Sequence, residues 1–117
     1  MNATSLQILN RGVPNQERLY FKALSNFDSR YIAVFLSTHA TLTSINNGGN
    51  KAYWFPPKII QLGDHVLLYS CVGTNSERIH LDGKKIHSFY WGLRSTIWSE
   101  PNSCAVLFDL VNYQATP

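Results

Sequence analysis

The stretch His65-Val66-Leu67-Leu68-Tyr69-Ser70-Cys71 decides the fold. Val66, Leu68 and Ser70 alternate against Leu67, Tyr69 and Cys71, which is the two-residue period of a β-strand. A turn, Leu62-Gly63-Asp64, precedes it. The same alternation recurs on both sides. Arg18 to Leu24 sets Leu19, Phe21 and Ala23 against Arg18, Tyr20, Lys22 and Leu24. Cys104 to Leu110 sets Cys104, Val106, Phe108 and Leu110 against Ala105, Leu107 and Asp109. Tyr31 to Leu36 is apolar without interruption, which predicts a strand covered on both faces or an edge packed by a loop.

Shorter strands are expected at Leu6–Asn10 and Lys51–Phe55, the latter stopped by Pro56-Pro57, with Thr41–Ile45 extending or following the Tyr31 strand. Asn46-Asn47-Gly48-Gly49-Asn50 is the strongest turn signal, because Asn-Gly tolerates positive φ. Val72 to Ile86 is long, polar and loop-like apart from Ile79-His80-Leu81, with Asp82-Gly83 as a turn between short extended pieces. Turns recur every ~8–14 residues, the rhythm of an all-β sandwich or barrel. The expectation is one domain over residues 1–117, an all-β immunoglobulin-like sandwich of two antiparallel sheets.

Composition narrows the class. Charged residues are 15% and hydrophobic residues 44%, a balance that favours folding over disorder. The net charge is +3, but the ten Lys and Arg are spread along the chain, whereas a nucleic-acid binder concentrates them on one face. The N-terminus has neither a basic n-region nor an apolar h-region. Nothing approaches ~18 consecutive apolar residues, so no membrane span is expected and the setting reads as intracellular. In a reduced compartment Cys71 and Cys104 behave as small apolar residues. A pairing between them stays open if their strands are neighbours. The Asn2-Ala3-Thr4 sequon is then unglycosylated.

The region Tyr53 to Leu110 resembles the lamin tail domain family. Tyr53-Trp54-Phe55-Pro56-Pro57-Lys58, Leu62-Gly63 and Val66-Leu67-Leu68-Tyr69 are similar to its Phe-Pro segment, Gly turn and following strand. Phe89-Tyr90-Trp91-Gly92 with Ile97-Trp98 is similar to its paired aromatic anchors, and Asn102 through Asp109 to its late turn and strand. Tyr31–Leu36 lacks the Gly-Trp pair of many members, and the last strand is expected to be short or absent. The resemblance implies an immunoglobulin-like sandwich that serves as an interaction module, for proteins and in some members for DNA or chromatin. It carries no catalytic residues and no cofactor.

None of the standard catalytic or metal-binding signatures stands in the sequence. The histidines His39, His65, His80 and His87 form neither HxH nor HExxH. His80 and His87 flank Asp82 in what reads as a solvated loop, so no metal site is expected. There is no CxxC pair, no GxSxG elbow and no phosphate loop. The acidic residues Asp28, Asp64, Asp82 and Glu100 fall at turns, where carboxylates cap backbone groups. The leading expectation is therefore a non-catalytic module that binds a protein partner, or itself, through an aromatic-rich surface including Tyr20, Tyr69 and Tyr90. One alternative is weak nucleic-acid binding through Arg78, Lys84, Lys85 and Arg94. A second alternative is a small-ligand domain or enzyme with a pocket at the end of the sandwich.

Overall fold

The computed structural model describes residues 2–41, 44–45 and 51–116. The Asn46–Asn50 turn signal lies outside the described residues. The strands in chain order are β1 (Gln7–Leu9), β2 (Arg18–Lys22), β3 (Phe27–Asp28), β4 (Ile32–Thr41), β5 (Ser44–Ile45), β6 (Lys51–Trp54), β7 (Ile59–Ile60), β8 (His65–Tyr69), β9 (Ser76–Ile79), β10 (Lys85–Tyr90) and β11 (Ser103–Asp109). The chain is all-β apart from one 3-10 turn, Ser29–Tyr31, among the described residues. Among the described residues no helix is long and apolar enough to cross a membrane.

Two sheets enclose the core. The five-stranded sheet has the order β1-β2-β8-β10-β9. Its register places Leu19 beside Leu68 and Leu68 beside Phe89, with Phe21 beside Val66 and Val66 beside His87. All six side chains are buried, so the alternation read in β2 and β8 identifies the inner face. The second sheet is built on β4, which pairs with β11 along one edge and with β6 and β5 along the other. Ile32 and Val34 of β4 close the core from that side, with Leu36, Ala105 and Leu107 packed against them. A two-stranded pair, β3 with β7, adds Phe27 and Ile60.

Three expectations meet a different structure. Val72 to Ile86 is not a loop: it forms β9 and the start of β10, paired antiparallel. All four residues of β9 are exposed, so its side chains carry no apolar alternation, and it is held by the backbone ladder together with the Glu77–Lys85 ion pair. The sheets are also not wholly antiparallel, because β8 and β10 run parallel. The β9 hairpin occupies the crossover between them, which lets β10 return in the direction of β8. The strand expected from Tyr31 begins at Ile32, since the Asp28 carboxylate accepts the Arg30 N–H at 3.0 Å and caps the 3-10 turn before it.

The segment between β10 and β11 has no strand and is held from outside. The buried Glu17 carboxylate accepts N–H bonds from Gly12 at 2.8 Å, Ile97 at 2.8 Å and Trp98 at 3.0 Å. Arg11 Nη1 donates to the carbonyls of Trp98 and Ser103, each at 3.1 Å. Trp98 is fully buried. It begins a chain of ring contacts running through Trp91, Tyr53, Phe55 and Phe89. The aromatics that the sequence concentrates in Tyr53–Phe55 and Phe89–Trp98 therefore fill the interior, with Trp54 and Tyr90 turned out by alternation.

Candidate functional site

The outer face of the five-stranded sheet carries three rows. Register and alternation align Arg18, Tyr69 and Tyr90, then Tyr20, Leu67 and Ser88, then Lys22, His65 and Ile86. The three tyrosines singled out in the sequence thus share one face. Tyr69 and Tyr90 stack with centroids 4.9 Å apart, and the Arg18 guanidinium lies 5.8 Å from the Tyr69 centroid. Tyr20 is engaged differently: its hydroxyl is 2.8 Å from His65 Nδ1. Burial, and then the charge of Asp82, push the Tyr20 phenol up.

Asp82 reaches this face from the β9–β10 turn. The turn is closed by His80 N–H to Lys84 O at 2.7 Å and by Gly83 N–H to His80 O at 2.9 Å. Gly83 sits at φ +80°, a conformation that glycine adopts without strain. Asp82 Oδ2 is 2.7 Å from His65 Nε2, and Oδ1 is 3.2 Å from His80 Nδ1. Asp82 Oδ1 also accepts the Lys84 N–H at 2.8 Å. The hydrogen bond with His65, then that from Lys84 N–H and the contact with His80, hold the Asp82 carboxyl well below the usual carboxylate range.

A second His–Asp pair lies on the inner side of the same sheet. His87 Nε2 donates to Asp64 Oδ2 at 2.8 Å, and both side chains are buried. Asp64 also accepts the N–H of Gln61 at 3.0 Å and of Lys85 at 3.2 Å. Burial alone would raise the Asp64 carboxyl, but these hydrogen bonds outweigh it and leave it below its ordinary value. The sequence grouping of His80 and His87 about Asp82 is therefore corrected. Alternation in β10 turns His87 inward, beside Val66, and Asp82 takes His65 of the neighbouring strand instead. Nothing in the spacing of His65, His80 and Asp82 signals this, because the parallel β8–β10 register brings them together.

The four cations considered for nucleic acid are dispersed. Arg78 of β9 pairs with Ile86 and shares the face of His65. Lys85 lies on the opposite face, 3.3 Å from Glu77 Oε2. The hydrogen bond with Lys85, and then the charge of Lys58, hold the Glu77 carboxyl below its ordinary value. Lys84 lays its aliphatic chain over Gly63. Arg94 follows the far end of β10 and lines a cleft of about 450 Å³ with Cys71, Pro14 and Thr96. Cys71 and Cys104 are both free thiols. Burial pushes the Cys104 thiol up.

The outer face of the second sheet holds a feature the sequence reading missed. Ala33 and Phe35 of β4, Ala52 and Trp54 of β6, and Phe108 of β11 form the floor of a groove of about 450 Å³, rimmed by Leu110 and Tyr113. Phe35 meets Phe108 edge-on at 4.8 Å, and Trp54 meets Tyr113 at 4.8 Å. Trp54 Nε1 donates to Arg30 O at 2.7 Å, which leaves the ring as an apolar wall. Trp54 is 54% exposed, Phe108 45% and Tyr113 45%. Among the described residues none that lines the groove is charged. The alternation of β11 places Phe108 on one side or the other, but only the pairing with β4 decides that this side faces out. Comparison with protein families, with curated proteins and with solved structures finds no match.

Proposed function

We propose that this chain is a non-catalytic interaction module that pairs with a second copy of itself through the outer face of β11, β4 and β6. The observation that carries the reading is the uncharged aromatic groove of Phe35, Trp54, Phe108 and Tyr113. A contiguous apolar patch exposed on a folded domain marks a contact surface, because covering it removes apolar area from water. A second copy is the favoured occupant for an electrostatic reason. A patch without charge meets no like-charge opposition when it faces itself across a two-fold axis, and it offers no charge by which a different partner would be selected. The lamin-tail resemblance points towards an interaction role as well. Arg78, Lys84, Lys85 and Arg94 do not converge on one surface, so no specific observation favours nucleic acid.

Light scattering across a range of protein concentrations tests this. The expected mass rises from monomer to dimer, and Phe108→Glu or Trp54→Glu holds it at monomer because each would bury an unpaired charge in the contact. A wild-type mass that stays monomeric at every concentration overturns the reading. A dimer that survives both substitutions but dissociates with Tyr69→Ser moves the interface to the other sheet and overturns the assignment to this face.

A further inference from the structure

We propose that His65, His80 and Asp82 bind one divalent transition-metal ion of the zinc type, with the fourth position left to water. The site is independent of the groove, since it lies on the outer face of the other sheet. Its three candidate ligand atoms all lie within 4.8 Å of one another, and the contacts to Asp82 are 2.7 and 3.2 Å. Tetrahedral zinc, with bonds of about 2.0–2.1 Å, holds its donors about 3.3 Å apart. The ring and carboxylate shifts needed to admit an ion are thus on the order of 1 Å or less at the side-chain tips.

The surroundings are those a metal ligand needs. A histidine that ligates through Nε2 holds its other nitrogen protonated, and that N–H requires an acceptor. Tyr20 Oη sits 2.8 Å from His65 Nδ1, positioned to accept it and to fix the ring. The Asp82 carboxylate is oriented by the Lys84 N–H at 2.8 Å. Two imidazoles and one carboxylate suit zinc, cobalt or nickel, whereas calcium and magnesium call for a fuller set of oxygens.

The scaffold explains what the ion would do. The β9–β10 turn has little apolar anchorage: Leu81 is fully exposed and His80 and Asp82 are exposed beside it. Within this site the turn reaches the sheet through Asp82 and His65. A metal shared between His65 on β8 and His80 and Asp82 on the turn would replace that hydrogen bond with coordination from both sides. Exposure of two of the three ligands leaves the fourth position open to solvent and the ion exchangeable.

The full chain, stripped with a chelator and dialysed, is titrated with Co²⁺ and then Zn²⁺. The expected result is one equivalent of Co²⁺ with visible bands of tetrahedral intensity, displaced by Zn²⁺ and not by Mg²⁺ or Ca²⁺. His80→Ala and Asp82→Ala, which lie in an exposed turn and leave the core intact, weaken Zn²⁺ binding more than about 10-fold, and Tyr20→Phe weakens it about 10-fold through loss of the acceptor for His65. His39→Ala leaves binding unchanged. A readout that needs no variant is the histidine side-chain nitrogen spectrum: Zn²⁺ should move the His65 and His80 signals and leave His39 and His87 in place. No Zn²⁺ binding by the wild-type chain, binding undiminished in His80→Ala and Asp82→Ala, or shifts confined to His39 or His87 would each overturn the assignment.

Discussion

His87 donates from Nε2 to Asp64 Oδ2 at 2.8 Å inside the five-stranded sheet, with His87 1% and Asp64 4% exposed. The other ring nitrogen of His87 is buried without a hydrogen-bond partner among the described residues, and Glu77 Oε2 stands 3.9 Å from it. The pair joins the turn before β8 to the middle of β10, across the parallel strands that set this sheet apart.

Removing one member should be costly. His87→Leu leaves the Asp64 carboxylate buried with only backbone donors, and loss of one partner from a buried pair typically costs about 3–5 kcal/mol. Urea unfolding followed by tryptophan fluorescence measures it. The pH dependence has a defined sign. Asp64 is held below its ordinary value when folded, so its contribution is present above the unfolded aspartate value of about 3.9 and is lost as pH falls through the lower folded value. In chelator-treated protein, Asp64→Asn should flatten that part of the acid limb relative to wild type.

Glu17 is expected to be a second point of fragility. Its carboxylate is the acceptor for three backbone N–H groups, two of which, Ile97 and Trp98, belong to the segment without strands. Glu17→Ala strands buried donors at about 1–3 kcal/mol for each that water cannot reach. A total of about 3 kcal/mol or more is expected, with Glu17→Gln milder because one amide oxygen still accepts. Hydrogen exchange at the Ile97 and Trp98 amides should quicken in Glu17→Ala before exchange at Leu68 does.

Trp98 and Trp54 offer a direct contrast of two tryptophans. Trp98 is fully enclosed and Trp54 is 54% exposed. Trp98→Ala should cost about 3–5 kcal/mol of chain stability, as large core truncations do. Trp54→Ala should change monomer stability by about 1 kcal/mol or less. Equilibrium unfolding at low protein concentration, where self-association is suppressed, separates the two effects.

Gly73 tests the Tyr69–Tyr90 stack. A Cβ at this position would lie 2.4 Å from Tyr90 Cδ2 and 2.5 Å from Cε2. Gly73→Ala should therefore displace the Tyr90 ring from its present stacking on Tyr69, with an overpacking cost of about 1–3 kcal/mol. Altered ring-current shifts on the two tyrosines in the proton spectrum, together with a lowered melting temperature, are the expected signature.

Much of the fold was legible in residue alternation. The split of Leu19 and Phe21 from Arg18 and Tyr20, and of Val66 and Leu68 from Leu67 and Tyr69, follows from the backbone pleat. It needs no knowledge of neighbours. The buried chain of rings from Tyr53 to Trp98 was visible as aromatic density in two short stretches. β9 was not legible, because Ser76–Ile79 is exposed on both faces and leaves no hydrophobic period.

The sites followed a different rule. Alternation in Cys104–Leu110 separates Val106 and Phe108 from Ala105 and Leu107, yet either set could have faced the core. Pairing with β4 put Ala105 and Leu107 inside and left Phe108 with Phe35 in the outer groove. Likewise His80 and Asp82 share the β9–β10 turn while His65 lies on β8, and only the parallel register of β8 and β10, with the turn folded back over it, brings His65 to them. Strand faces are a local property of the chain, written in its two-residue period. Which strands become neighbours is decided by long-range closure of the sheets around one core, and both the groove and the His–Asp–His cluster exist only after that closure.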